Sequence, residues 1–340
     1  MTKTTIQPIK EVSPKIGEIQ GRLFRSALVN NLEKFLPYVV LIVLIIVFTI
    51  TANNFFTLRN ILSLMLQTST VTLMGIGVTF TIITAGIDLS IGSLVALTGT
   101  VAVMVAIAGV PIWLSWIIGM LTGAFCGLLN GLMVTKLKLP PFIATLGMML
   151  VARGVALTIT NAAAYPAPEG FGDLGNGTIL GTGAKFPGIP YPVIIMVAVA
   201  FLFHFILSKT RTGRYTYAIG SNEEAARLSG IKINQVKNIA YIISGLLAGL
   251  VGIILASRMV TSQPNSASGY ELNAIAAAVI GGTSLMGGVG TVGGTVIGSF
   301  IIGTLTVGLT MSGANYYVQQ IVIGLVVIGA VTFDQFRGRK

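Results

Sequence analysis

Few residues in this chain are of types that do acid–base or ligand chemistry, and most of them stand alone. Asp88 lies in AGIDLSIGS between two long apolar runs, Arg153 is midway along another, and Glu271 opens a third. His204 and Cys126 are the single histidine and the single cysteine. With both in apolar runs, neither a Ser-His-Asp arrangement nor a transition-metal cluster is arguable. The cysteine excludes an intrachain disulfide and reads as packing, and His204 reads as packed or interfacial. No GxxxxGK[ST] phosphate loop occurs. What remains is a set of polar groups inside apolar sequence, where an ionisable residue is costly and marks a pathway, a gate or a helix cap. Asp88 and Ser90 precede an apolar run, and either can cap its first N–H groups. Glu271 admits the same two readings, and Asn273 is grouped with it. Asn130 in LLNGL reads as interhelical glue or as pathway lining.

The elements that must hold these groups follow from composition. The 340 residues are 54% hydrophobic and 9% charged, with a mean hydropathy of +0.88. A soluble domain carries about a quarter charged residues. The expected class is therefore an all-α polytopic membrane protein. A hydrocarbon core about 30 Å thick needs roughly 20 apolar residues of helix. That rule places ten spans near 36–52, 61–83, 90–108, 112–134, 139–160, 190–207, 238–256, 271–286, 290–311 and 316–333. The eighth and ninth flank GGTSLMGGVGTVGGT, whose glycines fit a short or broken helix.

Lysines and arginines set the orientation. Six precede residue 35, two are Lys136 and Lys138, six lie between 209 and 237, and three end the chain. Arg59, Arg153, Lys185 and Arg258 are the other four. Both termini are expected inside, with a cytosolic tail over 1–35, a membrane domain over 36–335 and a short cytosolic end at 336–340. Topology thus accounts for the formal charge of +11, which is not the footprint of a nucleic-acid binder. The polar, mixed-charge start reads as a retained tail rather than a signal peptide.

Two loops stand out. Residues 161–189 form an extracytoplasmic loop rich in Gly, Pro and Ala, read either as a linker or as a docking or gating surface. Residues 208–237 form a cytosolic loop. Within it Gly220 ends one element and Ser221 or Asn222 caps the next. Glu223 and Glu224 occupy that helix's first turn, where the dipole favours negative charge. Ala225, Ala226, Arg227 and Leu228 continue the helix, and Ser229 and Gly230 close it. Ala225, Leu228 and Ile231 give it an apolar face. Two glutamates on anionic headgroups would be unfavourable, so a cytosolic protein partner fits better than a lipid surface.

Towards the C-terminus, Gly281-Gly282, Gly287-Gly288 and Gly293-Gly294 recur six residues apart. This period matches no single helix face, so some of these glycines sit at breaks, which a membrane tolerates only where they line a cavity or are buried in protein. ITAGIDLSIGS and IGGTSLMGGVG are both glycine-bracketed junctions between apolar runs, a pattern compatible with two related halves.

Four stretches, TAGIDLSIGSLVAL, LNGLMVTKLKLPPFIATLGMM, KTRTGRYTYAIGSNEEAARLSGI and GYELNAIAAAVIGGTSLMGGVGTVGGTVIGS, together resemble the permease subunits of bacterial ATP-binding-cassette sugar importers of the ribose/galactose/xylose class. The resemblance runs from about residue 35 to about 335. It implies a fold like the vitamin B12-type (type II) importers, a bacterial cytoplasmic-membrane location, and ribose or a related monosaccharide as cargo. It also implies three protein partners: an ATP-binding subunit that holds ATP and Mg, a soluble sugar-binding protein outside, and a second permease subunit, identical or different. Ser221–Gly230 then matches the helix that couples to the ATPase, and the chain itself needs no cofactor. The rival reading is a proton-coupled secondary sugar carrier with Asp88, Glu271 and Arg153 as its relay.

Overall fold

The computed structural model describes residues 35–181 and 187–338. Most of the tail expected over 1–35, Lys185 and the last two basic residues fall outside them. The elements run α1 (Phe35–Thr51), α2 (Leu58–Ile83), α3 (Ile91–Ile107), α4 (Ile112–Thr135) and α5 (Pro141–Thr160). They continue with β1 (Tyr165–Pro166), α6 (Asp173–Asn176), β2 (Thr178–Ile179), β3 (Ile189–Pro190), α7 (Tyr191–Lys209), α8 (Arg211–Ser221) and α9 (Glu223–Leu228). The last are α10 (Ile233–Met259), β4 (Thr261–Ser262), α11 (Tyr270–Ile280), α12 (Val292–Met311) and α13 (Tyr316–Gly338). Six of these, α2, α4, α5, α7, α10 and α12, are long and apolar enough to cross a membrane, and α1, α3, α11 and the apolar part of α13 are shorter apolar helices. The protein is an integral membrane protein built of helices.

Proline and threonine set many helix starts. Pro111, Pro140 and Pro190 precede α4, α5 and α7 with no side-chain cap, where a missing N–H costs nothing because the first turn has no carbonyl to receive it. Thr57, Thr210 and Thr291 instead accept a backbone N–H with their hydroxyls.

α2 and α10 form the buried centre. Leu73, Ile76, Val78 and Phe80 on α2, and Ala248, Val251, Ile253 and Ile254 on α10, have no exposed surface. α10 crosses α4 so closely that a Cβ on Gly245 would land on the Gly123 carbonyl, and one on Gly127 would land on that of Tyr241. Small residues bring helix backbones together where burying apolar surface gives no drive over lipid.

Two departures from the expected spans matter. The eighth, expected over 271–286, is α11, which stops at Ile280. Eleven residues at 1.5 Å each make about 16 Å, half a hydrocarbon core. Gly281-Gly282 ends it, and Gly282, Gly287 and Gly288 all take positive φ, a conformation that carries no penalty only for glycine. The other departure is the loop over 161–189, whose described part is pinned down. Buried Phe171 meets Trp116 edge-on at 6.2 Å. The Ser257 hydroxyl of α10 donates to the Phe171 carbonyl and accepts from the Gly175 N–H, both at 2.7 Å. Antiparallel pairings of β1 with β4 and of β2 with β3 close it.

Candidate functional site

The link between α2 and α3 turns back into the protein and ends at Asp88, which has no exposed surface. Its Oδ1 accepts the Ser90 N–H at 3.0 Å and the Ser90 hydroxyl at 2.6 Å, and its Oδ2 accepts the Ser244 hydroxyl of α10 at 2.7 Å. Asn130 of α4 donates to Ser90 Oγ at 2.8 Å. Ser90 occupies the N-cap position of α3 without capping it by its side chain, so Asp88 is the residue that receives the N–H there. Thr145 of α5 adds a hydroxyl on the Ile87 carbonyl at 3.0 Å. Asp88, Ser90 and Asn130 thus come together in one sealed cluster that joins α3, α4 and α10. A buried carboxylate is tolerable when its lone pairs are met by donors in this way.

The other candidates lie elsewhere. Glu271 stands in the first turn of α11, half-buried, and a Cβ on Gly92 in the first turn of α3 would collide with its carboxylate. Arg153 does not reach Asp88. Its Nη1 donates to the carbonyls of Pro264 at 2.7 Å and Ser266 at 2.8 Å, in the segment leading into α11. Asn273 lines an open cavity of about 730 Å³ bounded by α2, α10, α11, α12 and α13, with Arg258 of α10 on its wall. Gln67, Thr70, Thr306, Tyr316 and Gln320 share that lining. The volume lies in the roughly 300–1,000 Å³ range of small-molecule sites. His204 is exposed on α7, and Cys126 is buried. Among the described residues no group of His, Cys, Asp and Glu could hold a metal ion.

The short helix in the loop over 208–237 forms as its sequence demands, with two refinements. Asn222 caps it, its Oδ1 accepting the Ala225 N–H at 2.9 Å, while Ser221 is the last residue of α8. At the other end Gly230 takes φ 81°, the Ile231 N–H returns to the Ala226 carbonyl and the Gly230 N–H to that of Arg227, a glycine-closed C-cap. Ser229 occupies the C-cap position between them. Of the expected apolar face, Leu228 is 84% exposed and Ala225 is exposed beside it, whereas Ala226 packs inward. Among the described residues all ion pairs belong to this helix: Glu223 meets Lys237 of α10 at 2.6 Å and Arg227 at 3.3 Å, and Glu224 meets Arg227 at 3.8 Å.

Gly220 does not end an element. It lies in the last turn of α8, and a Cβ there would run into the Ile83 carbonyl and the Gly288 N–H, which are themselves hydrogen-bonded at 2.9 Å. The two glycine-bracketed junctions therefore lie against each other and against the end of α8. Tyr217 of α8 also donates to the Gly290 carbonyl at 2.6 Å, and burial pushes its phenol above the usual range, keeping it a donor. No local pattern announces this three-way contact. The recurrence of glycine at all three points was the available signal.

A family model described as "Branched-chain amino acid transport system / permease component" matches residues 60–331. The ribose import permease protein of Escherichia coli is 44% identical over 298 residues, covering 87% of this chain and 92% of that protein. That of Bacillus subtilis is 43% identical over 324 residues, covering 94% and 98%. The xylose transport system permease protein of Escherichia coli is 33% identical over 397 residues, spanning all of both chains. The chain belongs to this family of transport-system permease components.

Proposed function

We propose that the chain is the membrane-spanning subunit of an ATP-driven importer in the bacterial cytoplasmic membrane, and that it carries ribose or a closely related monosaccharide. The observation that carries this reading is the polar-edged cavity beside the half-length helix α11, in a chain similar throughout to sugar import permeases. Amide and hydroxyl groups on a largely apolar wall suit a neutral polyol, exchanging some of its water hydrogen bonds, with Arg258 the single charged residue of the lining. Weak holding suits a conduit, because tight binding inside the membrane would slow release.

In this reading all ten apolar helices are spans, with both termini inside and the architecture that of the vitamin B12-type importers. A second permease subunit, alike or different, closes the open side of the cavity. The exposed Leu228 and Glu224 of α9 meet the ATP-binding subunit, which holds ATP and Mg and does the hydrolysis. The pinned loop after α5 receives a sugar-binding protein outside. Alternating access then comes from tilting the helices around the cavity as the ATPases close.

The proton-coupled alternative needs a carboxylate that trades protons with the pathway. Asp88 accepts three hydrogen bonds inside a buried cluster, and Arg153 donates to the Pro264 and Ser266 carbonyls rather than to Asp88. Asp88 thus stands outside any relay of Arg153 and the half-buried Glu271, an arrangement that favours the ATP-driven reading.

The test is uptake of labelled ribose into vesicles that hold this chain with its ATP-binding subunit and binding protein. Uptake is expected to require ATP and to survive collapse of the proton gradient; the reverse pattern overturns the proposal. Replacing Glu223 and Glu224 together with lysine puts two cations beside Lys237 and Arg227 and is expected to abolish uptake while the chain remains in the membrane.

A further inference from the structure

The end of α8 touches both interrupted segments of the membrane domain. Tyr217, Gly220 and Ser221 fall at i, i+3 and i+4, one face of a helix. Tyr217 holds the Gly290 carbonyl, Gly220 abuts Ile83 and Gly288, and Ser221 lies against Gly288, where a Cβ would come 2.8 Å from its hydroxyl. Ile83 ends α2 and opens the link to Asp88; Gly288 belongs to the link that leaves α11. Leu285 of that same link lines the cavity, as α11 does.

A single residue, Asn222, connects α9 to this face. Asn222 is both the last cap of α8, its N–H on the Ala218 carbonyl at 3.1 Å, and the first cap of α9. A displacement of α9 therefore moves Gly220 with it, and at Gly220 backbone meets backbone with no side chain between to absorb the motion.

We propose that Gly220 is a positioning residue for transport, the contact through which motion of α9 reaches both the α2–α3 link and the α11–α12 link at once. The inference rests on the ATP-driven importer reading. Gly220 touches neither sugar nor ATPase; it sets where the two junctions sit when α9 moves.

The test replaces Gly220 with alanine in the full complex and measures ATP hydrolysed per sugar taken up. The added methyl must push the Ile83–Gly288 pair away. G220A is expected to reach the membrane, to assemble, and to hydrolyse ATP at a basal rate within about twofold of wild type, while the ATP spent per sugar rises at least about tenfold. A ratio within about twofold of wild type overturns the inference. Should G220A fail to insert, Y217F decides: it removes only the bond to the Gly290 carbonyl, is expected to raise the ratio severalfold, and an unchanged ratio overturns the inference. If wild-type vesicles take up sugar without regard to ATP, the importer reading itself falls and this inference falls with it. ATP-driven wild-type uptake with an unaltered ratio in the variants sinks the Gly220 contact alone.

Discussion

Asp88 and Asn273 are both polar residues set between apolar runs, yet the fold puts them to opposite uses. Around Asp88 every carboxylate lone pair in use faces a donor from its own chain, from Ser90 and from Ser244, and no surface is left. Around Asn273 the polar side chains of α2, α11 and α13 edge a cavity of about 730 Å³. The first region spends its hydrogen bonds on itself and so joins helices. The second leaves polar residues on the wall of an open volume. A polar residue between apolar runs does not by itself separate a cavity wall from a brace; the hydrogen-bond partners do.

The strongest way to break this contrast is to empty the sealed cluster. Asp88→Leu strands the Ser90 N–H, the Ser90 hydroxyl and the Ser244 hydroxyl, each at about 1–3 kcal/mol when buried without a partner. Little monodisperse protein is expected on size-exclusion chromatography of a detergent extract. Asp88→Asn keeps an acceptor for Ser90 and turns an amide towards Ser244, losing the charge-assisted part of each bond, roughly 1–2 kcal/mol in all. A lower unfolding midpoint with uptake retained is expected. An Asn variant that is fully stable yet inactive would instead make Asp88 a functional carboxylate and erase the contrast.

Ser244→Ala probes the same cluster from α10, with an effect of comparable size. It removes one donor to a buried carboxylate, at about 1.5–3 kcal/mol, and thermal unfolding in detergent is expected to fall accordingly, with the sugar concentration for half-maximal uptake unmoved. The smallest effect on stability is expected at the cavity. Asn273→Ala should leave the unfolding midpoint within about 0.5 kcal/mol of wild type while raising half-maximal sugar concentration severalfold, the size of one lost hydrogen bond at about 1 kcal/mol. A variant that unfolds early with unchanged uptake would move Asn273 from the cavity to the brace.

The residues of α9 were legible because every signal there is local. A side-chain cap, two glutamates in the first turn and a glycine at the end act within ten residues, and the helix they specify, Glu223–Leu228, forms as read. The six long apolar helices were legible for a similar reason, since length and composition suffice. The shortening of α11 was half-visible in its glycines. The role of Gly220 was not visible, because its neighbours are Ile83 and Gly288, far away along the chain.

Composition by itself determined that this is a membrane protein of many helices with a capped helix set in its longest basic loop, because hydropathy, charge placement and capping are summed over neighbours in sequence. Only the tertiary structure decided which polar residues brace and which line a cavity, and that the two glycine junctions and the end of α8 share one point. Those outcomes depend on which donors meet which acceptors and on backbones closing to a distance that glycine alone permits, and neither is encoded at any fixed spacing along the chain.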